Sequence, residues 1–336
     1  MAGNFVQLHN HTHYSLLDGA SKVPDLVKRV KELGMPAVGI TDHGNMHGAY
    51  ELWRAAVDSG VKPIIGIEAY VTPETARQDK TRVSWDTNWT PVPGHARNPD
   101  DVSGGGLITH LTMWAENDEG LVNLIKASSV ANLEGRVMRY PRMDKEVLST
   151  YSKGVIASSG CPSGIIQTRL RLGQFDEALR AAGEFQDIFG KDNFYIELMD
   201  HGLSIESKVT GDLLTIAKKL GAPLLATNDS HYVMEADKDA QDAMLCINSG
   251  ATLDDPNRFK FEGSGYYIKS AEEMRELFKD HPDACDNTLE IAERCNVIFD
   301  DHEDGAFMPQ FDCPEGWDET SLFLKKVEEG LEKRYD

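Results

Sequence analysis

Histidine, carboxylate and thiol side chains recur at fixed places relative to short apolar runs of the chain. His9 and His11 form an H-N-H triplet after the run Phe5–Leu8, and Asp18 follows shortly after. Asp42-His43 follows a second run, Glu68 lies near the end of a third, and His110 lies within a fourth. Cys161 follows a fifth run, and Asp229 and His231 follow a seventh as D-S-H. In extended chain, residues i and i+2 point the same way, so each pair at that spacing can pinch one ion. Imidazole and thiolate suit zinc, while carboxylates suit zinc or manganese and can bridge two ions. About nine donors are too many for one four-coordinate site and fit three partly open ones. Closely spaced divalent ions generate a hydroxide, polarise a phosphoryl oxygen and stabilise a leaving oxygen. Hydrolysis of a phosphate ester is the natural chemistry, with a hydroxide held by the metals as the attacking group.

The elements that must position these residues are legible as well. Seven β-like runs recur: Phe5–Leu8, Pro36–Ile40, Pro63–Val71, Leu107–Trp114, Gly154–Ser158, Phe194–Leu198 and Pro223–Ala226. Several are continuous apolar runs (AVGI, PIIGI, PLLA), which suits strands buried on both faces of a parallel sheet. Most are followed by helical patterns. In VPDLVKRVKELG, Leu26, Val27, Val30 and Leu33 make one stripe, Pro24 suits the first turn and Gly34 the C′ position. Strand–helix alternation predicts an α/β fold with parallel strands, a distorted (β/α)7 barrel spanning residues 1–232. Barrels gather their active-site residues at one face of strand ends, and that is where the candidate ligands fall. The segment 74–106 has no helical period and reads as a long loop of the kind that is often functional. From 233 to 336 the pattern turns helical, an elaboration whose last helix lacks a closing glycine and reads as cut from a longer chain.

Composition limits the partners. Lys and Arg total 34 against 55 Asp and Glu, a formal charge of −21. Affinity for nucleic-acid phosphates comes mostly from basic residues, which excludes a chain that grips DNA by its own charge alone. Either the substrate is small, or metals and a separate basic domain supply the missing positive charge. The five cysteines include no CxxC pair and do not read as a disulfide framework. No run approaches the roughly 18 apolar residues of a membrane span, and the N-terminus has no signal-peptide pattern. A cytoplasmic protein without membrane contact is expected.

The stretches HNHTHYSLLDG, GITDHGNM, GIEAYV, THLT, GCPSG and ATNDSHY are similar to the successive motifs of the PHP (polymerase and histidinol phosphatase) superfamily. RLRLGQ, IELMDHGL, NRFKFEGSGYYIKSAEEM and DNTLEIAERC resemble bacterial DNA polymerase III alpha subunits of the actinobacterial type more than histidinol phosphatases or family X polymerases. The resemblance implies three divalent ions, whether zinc, manganese or iron. His9, His11, Glu68 and Asp229 would hold the first. Glu68 would bridge to a second shared with His110 and Cys161, and Asp18, His43 and His231 would hold the third. It further implies a 3′→5′ exonuclease acting in proofreading on a single-stranded or frayed DNA 3′ end. The partners would be the remaining polymerase domains and the replisome. No polymerase palm is recognised, so nucleotide transfer is not expected of this chain.

Other residues have weaker claims. His201 follows the sixth run and is a candidate to bind a phosphate or orient a water, with Asp200 beside it. Asp42 either steadies a ligand or caps a helix. Arg169 and Arg171 either hold substrate phosphates or line a solvated helix face. His13 is given no role. His47, His95, His281 and His302 read as surface or loop histidines, and Cys246, Cys285, Cys295 and Cys313 as ordinary thiols. Two other functions fit the same pattern: an enzyme of small phosphoesters, and a catalytically silent module whose metals stabilise a polymerase.

Overall fold

The computed structural model describes residues 5–91, 98–299 and 309–335. Two compact units divide the chain, Met1–Ile298 and Phe299–Asp336. The strands of the first are β1 (Ala37–Ile40), β2 (Lys62–Val71), β3 (Thr109–Ala115), β4 (Arg142–Met143), β5 (Val155–Ser158), β6 (Phe194–Leu198) and β7 (Leu224–Ala226). Around them lie α1 (Val23–Glu32), α2 (Ala49–Ser59), the single turn α3 (Ser103–Gly106), α4 (Asp118–Glu134), α5 (Lys145–Thr150), α6 (Ile165–Arg171), α7 (Phe175–Phe189) and α8 (Ser204–Leu220). Three further helices follow in the same unit: α9 (Lys238–Ser249), α10 (Ala271–Leu277) and α11 (Pro282–Arg294). The second unit contributes α12 (Glu319–Tyr335), which has no buried residue.

The sheet runs β1-β2-β3-β5-β6-β7, with the short β4 paired to β2. It curls into a distorted α/β barrel. Burial on both faces explains the continuous apolar runs, for every residue of β1, β5 and β6 is buried.

Two features depart from the expected all-parallel barrel. First, β3 runs antiparallel to both β2 and β5, so the sheet is mixed. A parallel pair needs a crossover that carries the chain back to the starting edge. Among the described residues between β2 and β3 there is only the single turn α3 and no such crossover helix. The strand instead begins again at the end of β2, where Thr109 pairs with Val71. Second, Phe5–Leu8 forms no extended ladder. It is held by single bridges, Gln7 to Val38 on one side and Asn10 to Ser230 on the other. Those two bridges close the ring between β1 and the segment after β7.

The long 74–106 loop is tied internally where it is described. Buried Asp101 accepts hydrogen bonds from the backbone N–H groups of Trp85, Asp86 and Val102 and from Ser84 Oγ.

The barrel floor is built by α11. Its Ile291 and Ala292, with the Cys295 that follows, pack on Val6, Leu8, Ala37, Ile64, Trp114, Ile156, Tyr195 and Leu225. Thr288 Oγ1 accepts from Val6 N at 3.0 Å, and Asn287 donates to Leu224 O at 2.7 Å. The compact barrel unit therefore continues past residue 232 to Ile298. Trp114 fills the interior and donates its indole N–H to Leu8 O at 3.1 Å, since a buried indole needs an acceptor.

Candidate metal centre

At the end opposite that floor, strand termini deliver the candidate ligands. His43 lies just past β1 and bridges to Glu68 within β2. Because β3 is reversed, His110 reaches the same face from the start of its strand, opposite Tyr70. Cys161 lies beyond β5, and Asp229 and His231 lie beyond β7. His9 and His11 arrive on the bridged first segment, and a turn returns Asp18 over them. Gly19 makes that turn possible, because a Cβ there would sit 2.2 Å from Thr12 O.

All nine expected residues converge. His9 Nε2 lies 3.3 Å from Asp229 Oδ1 and 3.6 Å from Glu68 Oε1. His11 Nε2 lies 3.0 Å from the same Asp229 oxygen and 3.4 Å from Glu68 Oε2. His43 touches Glu68 through Nδ1 at 2.6 Å and Asp18 through Nε2 at 3.0 Å. His231 Nε2 is 3.8 Å from Asp18 Oδ1, His110 Nδ1 is 3.1 Å from Glu68 Oε1, and Cys161 Sγ is 3.4 Å from His110 Nδ1. Among the described residues, three ligand triads stand out: His9, His11 and Asp229; His43, Glu68 and His110; His11, His43 and His231. They overlap the expected grouping, but place His43 with Glu68 and His110 as well as with His231.

The fit to cations rests on orphaned atoms. His9 Nε2, His11 Nε2, Asp18 Oδ1, His43 Nδ1, Glu68 Oε2, Asp229 Oδ1 and His231 Nε2 are buried without a hydrogen-bond partner. Leaving a buried polar atom unpaired costs about 1–3 kcal/mol, more for a charged one. These close pairs lack hydrogen-bond geometry, as donor atoms do around a shared cation. The mixed N, O and S donor set suits divalent ions.

Surrounding side chains fix the ligands' orientation. Glu197 of β6, fully buried, binds His9 Nδ1 at 2.6 Å, which leaves Nε2 facing the cluster. Its carboxylate also accepts from Thr227 Oγ1 at 2.6 Å and from Ser158 Oγ. Asp42 accepts from Thr12 N and from Ser15 Oγ, both at 2.7 Å, and Ser15 Oγ meets His11 Nδ1 at 2.9 Å. Asp42 thus steadies a ligand through Ser15. Such partners set ring orientation and basicity. Asp229 itself sits at φ 44°, a left-handed conformation that aspartate tolerates better than most residues and that concentrates at functional sites.

Without a cation the cluster redistributes protons. Burial opposes charge on His9, but Asp229 and Glu197 outweigh it and hold the ring well above the ordinary histidine value. His43 is raised likewise, with Tyr70 and Glu68 outweighing burial. Burial, then the His43 and His231 rings, push His11 down to about 3. Asp18 is lowered to about 2 because His231 and His43 overcome its burial. Glu68 is held well down by His110 and His43, and Asp229 by His9 and His231, each against burial. Burial, then Glu68 and Asp229, drive the Cys161 thiol well up.

Other candidates stand apart. His201 has both ring nitrogens engaged, Nδ1 with Glu206 at 2.6 Å and Nε2 with Asn228 O at 2.9 Å, and it stacks on Tyr266. No ring nitrogen is left for a phosphate or a water. Asp200 accepts from Gly202 N at 2.9 Å. Arg169 pairs with Glu74 and Gln174 and lies over Trp85 at 3.8 Å. Arg171, nearly buried, donates to Pro162 O and Asp100 O, tying the Cys161 loop to the long loop. His47 is exposed, His281 precedes α11, and His95 and His302 lie outside the described residues. Cys246, Cys285 and Cys295 are buried free thiols, and Cys313 is half-buried. Glu197 and Ser15 carried no sequence signal, as a glutamate inside FYIEL looks like an ordinary solvent-facing strand residue.

The class so defined is a mixed-sheet α/β barrel with a buried carboxylate–imidazole–thiol cluster at one end, a donor set that fits divalent ions. Residues 7–201 match the PHP domain family, and the chain belongs to it. It is 51% identical over 333 residues to the DNA polymerase III subunit alpha of Mycobacterium leprae, a match covering 99% of this chain and 28% of that protein. The subunits of Mycobacterium tuberculosis and Saccharopolyspora erythraea match at 50% and 51%. The chain thus spans little more than a quarter of the length of these actinobacterial relatives. Among solved structures, an amidohydrolase from Chromobacterium violaceum is similar at 15% identity and a TM-score of 0.39, covering 68% of this chain and 87% of that one. No described helix is long and apolar enough to cross a membrane.

Proposed function

We propose that this chain is a metal-dependent phosphodiesterase that removes nucleotides from the 3′ end of DNA, as the proofreading part of a cytoplasmic DNA polymerase III alpha subunit. The carrying observation is the set of seven buried, unpartnered donor atoms that converge at one barrel end. His9, His11, Glu68 and Asp229, His110 with Cys161, and Asp18 with His43 and His231 would hold about three ions of zinc, manganese or iron. When bound, such ions polarise the phosphoryl group and make water acidic enough to act as nucleophile. The chain's own residues orient this chemistry. Glu197 and the Asp42–Ser15 pair lock the two deepest imidazoles. Asp18, His43, His110 and Asp229 are the partly exposed members, at 13–20% of their side-chain surface, and mark the edge by which a substrate enters.

Digestion of a 5′-labelled single-stranded DNA with Mn²⁺ or Zn²⁺, resolved on a gel beside a His9→Ala control, tests this. A ladder shortening from the 3′ end, abolished by chelator and by the substitution, is expected. Cleavage of small phosphoesters without a ladder would point to a small-molecule enzyme, which the −21 charge favours. Metal bound without turnover of either would mark a structural module.

A further inference from the structure

Beside the exposed edge of the metal centre lies a cleft of about 430 Å³, lined by Asp18, His43, Tyr70, Arg136, Arg139 and Asn248 among others. Its two arginines are exposed, and among the described residues neither has a carboxylate partner. Most other arginines here are paired, such as Arg77 with Asp144, Arg169 and Arg180 with Glu74, Arg258 with Asp242 and Arg294 with Glu116.

The backbone that presents them is fixed and strained. Val137 and Tyr140 exchange N–H···O bonds at 3.0 Å, a tight turn with Met138 and Arg139 at its tip. Met138 takes φ 54°, a left-handed conformation unusual for a residue with a side chain. Buried Arg142 anchors the base of the turn by donating to the carbonyls of Gly135, Arg77, Asp79 and Leu107. At the tip, Asn248 accepts from Arg139 and donates to Leu17 O, beside Asp18. The turn is therefore tied to the loop that carries a candidate ligand.

We propose that Arg136 and Arg139 form a phosphate track that holds the backbone of a DNA strand as its 3′ end enters the metal centre. The proposal rests on the phosphodiesterase reading above and names the residues that would seat its substrate. In a chain of formal charge −21, guanidinium groups without a carboxylate partner beside the cluster are where a polyanion gains most.

The test is the salt dependence of binding of a fluorescein-labelled oligodeoxythymidylate, read by anisotropy for the metal-loaded protein and a double R136A/R139A variant. A K28A/K31A pair on α1 removes the same charge elsewhere. Each single-strand phosphate contact contributes about 0.7 to the slope of log affinity against log salt, so losing two lowers it by about 1.4. That fall is expected for R136A/R139A alone, with metal content and melting temperature unchanged. An unchanged slope, an equal fall in the lysine pair, or no measurable binding by the wild type would overturn the track. A 3′ ladder with an unchanged slope overturns the track and leaves the phosphodiesterase standing. A lowered slope without any ladder supports the track and removes the phosphodiesterase.

Discussion

Glu197 shows how much a single side chain outside the candidate ligand set contributes. Its carboxylate is the sole acidic partner of His9 Nδ1 among the described residues, and it holds the ring with Nε2 aimed at Asp229 and Glu68. Replacing such a partner costs about 10–100-fold in metal affinity. Glu197→Gln is therefore expected to weaken metal binding by that order, measured by competition with a chelating dye. Affinity equal to wild type would remove the orienting role. Protons give a second residue-scale expectation. His9 and His43 have raised values in the metal-free fold, so their contribution is present below about pH 6.5 and lost as pH climbs through those values. The raised Cys161 thiol acts in the same direction, because the unfolded chain ionises first. His11 runs the other way, but between about 3 and its ordinary 6.5, below the range that matters here. The lowered Asp18, Glu68 and Asp229 stay ionised in both states above about pH 5. The chelated protein should thus lose melting temperature from pH 7 to 9. Bound metal replaces those protons, so the gap between loaded and chelated protein should widen with pH in calorimetry. A gap that narrows contradicts the assignment.

At the scale of elements, the reversal of β3 and the floor made by α11 decide the site. His110 would lie at the wrong end of the barrel if its strand ran parallel, given its place near the strand's start. No residue within THLTMWA signals that reversal, because strand direction is set by the connection before it. The apolar runs marked where strands lie, but the parallel direction read from them fails at β3. The Phe5–Leu8 run likewise shows its apolar pattern yet pairs only through single bridges, since its neighbours meet it at isolated points. The contribution of α11 was hidden for a different reason. Its stripe of Ala284, Thr288, Ile291 and Ala292 reads as an amphipathic helix, and nothing local says which surface it covers. Ile291 is fully buried against barrel residues. Ile291→Ala should cost about 2–5 kcal/mol in urea unfolding of the whole barrel. A loss below about 1 kcal/mol would mean that this helix is not part of the barrel's cooperative unit.

For the molecule as a whole, the nine candidate ligands were legible because their spacing is local. H-N-H and D-S-H are short-range patterns, and His43, Glu68, His110 and Cys161 each lie within or shortly after an apolar run. The orienting groups Glu197 and Ser15 were not legible, because they act through contacts up to 188 residues apart in the chain, while Asp42 was legible only as one of two alternatives. The cleft arginines were missed for the same reason, as their position beside Asp18 depends on how the 132–141 segment folds back onto the barrel. On the proposed reading, the acidic surface and the metal centre belong together: a formal charge of −21 repels DNA generally and would leave metals and a few guanidinium groups to define where a phosphate binds.

Where divalent ions sit decides both the metal centre and the hydrolysis built on it. The most direct measurement is an anomalous difference map from crystals of the chain loaded with Mn²⁺ or Zn²⁺, collected above and below the metal's absorption edge. Peaks about 2.0–2.3 Å from His9 and His11 Nε2, an Asp229 oxygen, Glu68, and the Asp18–His43–His231 group are expected. Peaks only at surface carboxylates, or none in the barrel mouth, would contradict the metal centre and the hydrolysis built on it.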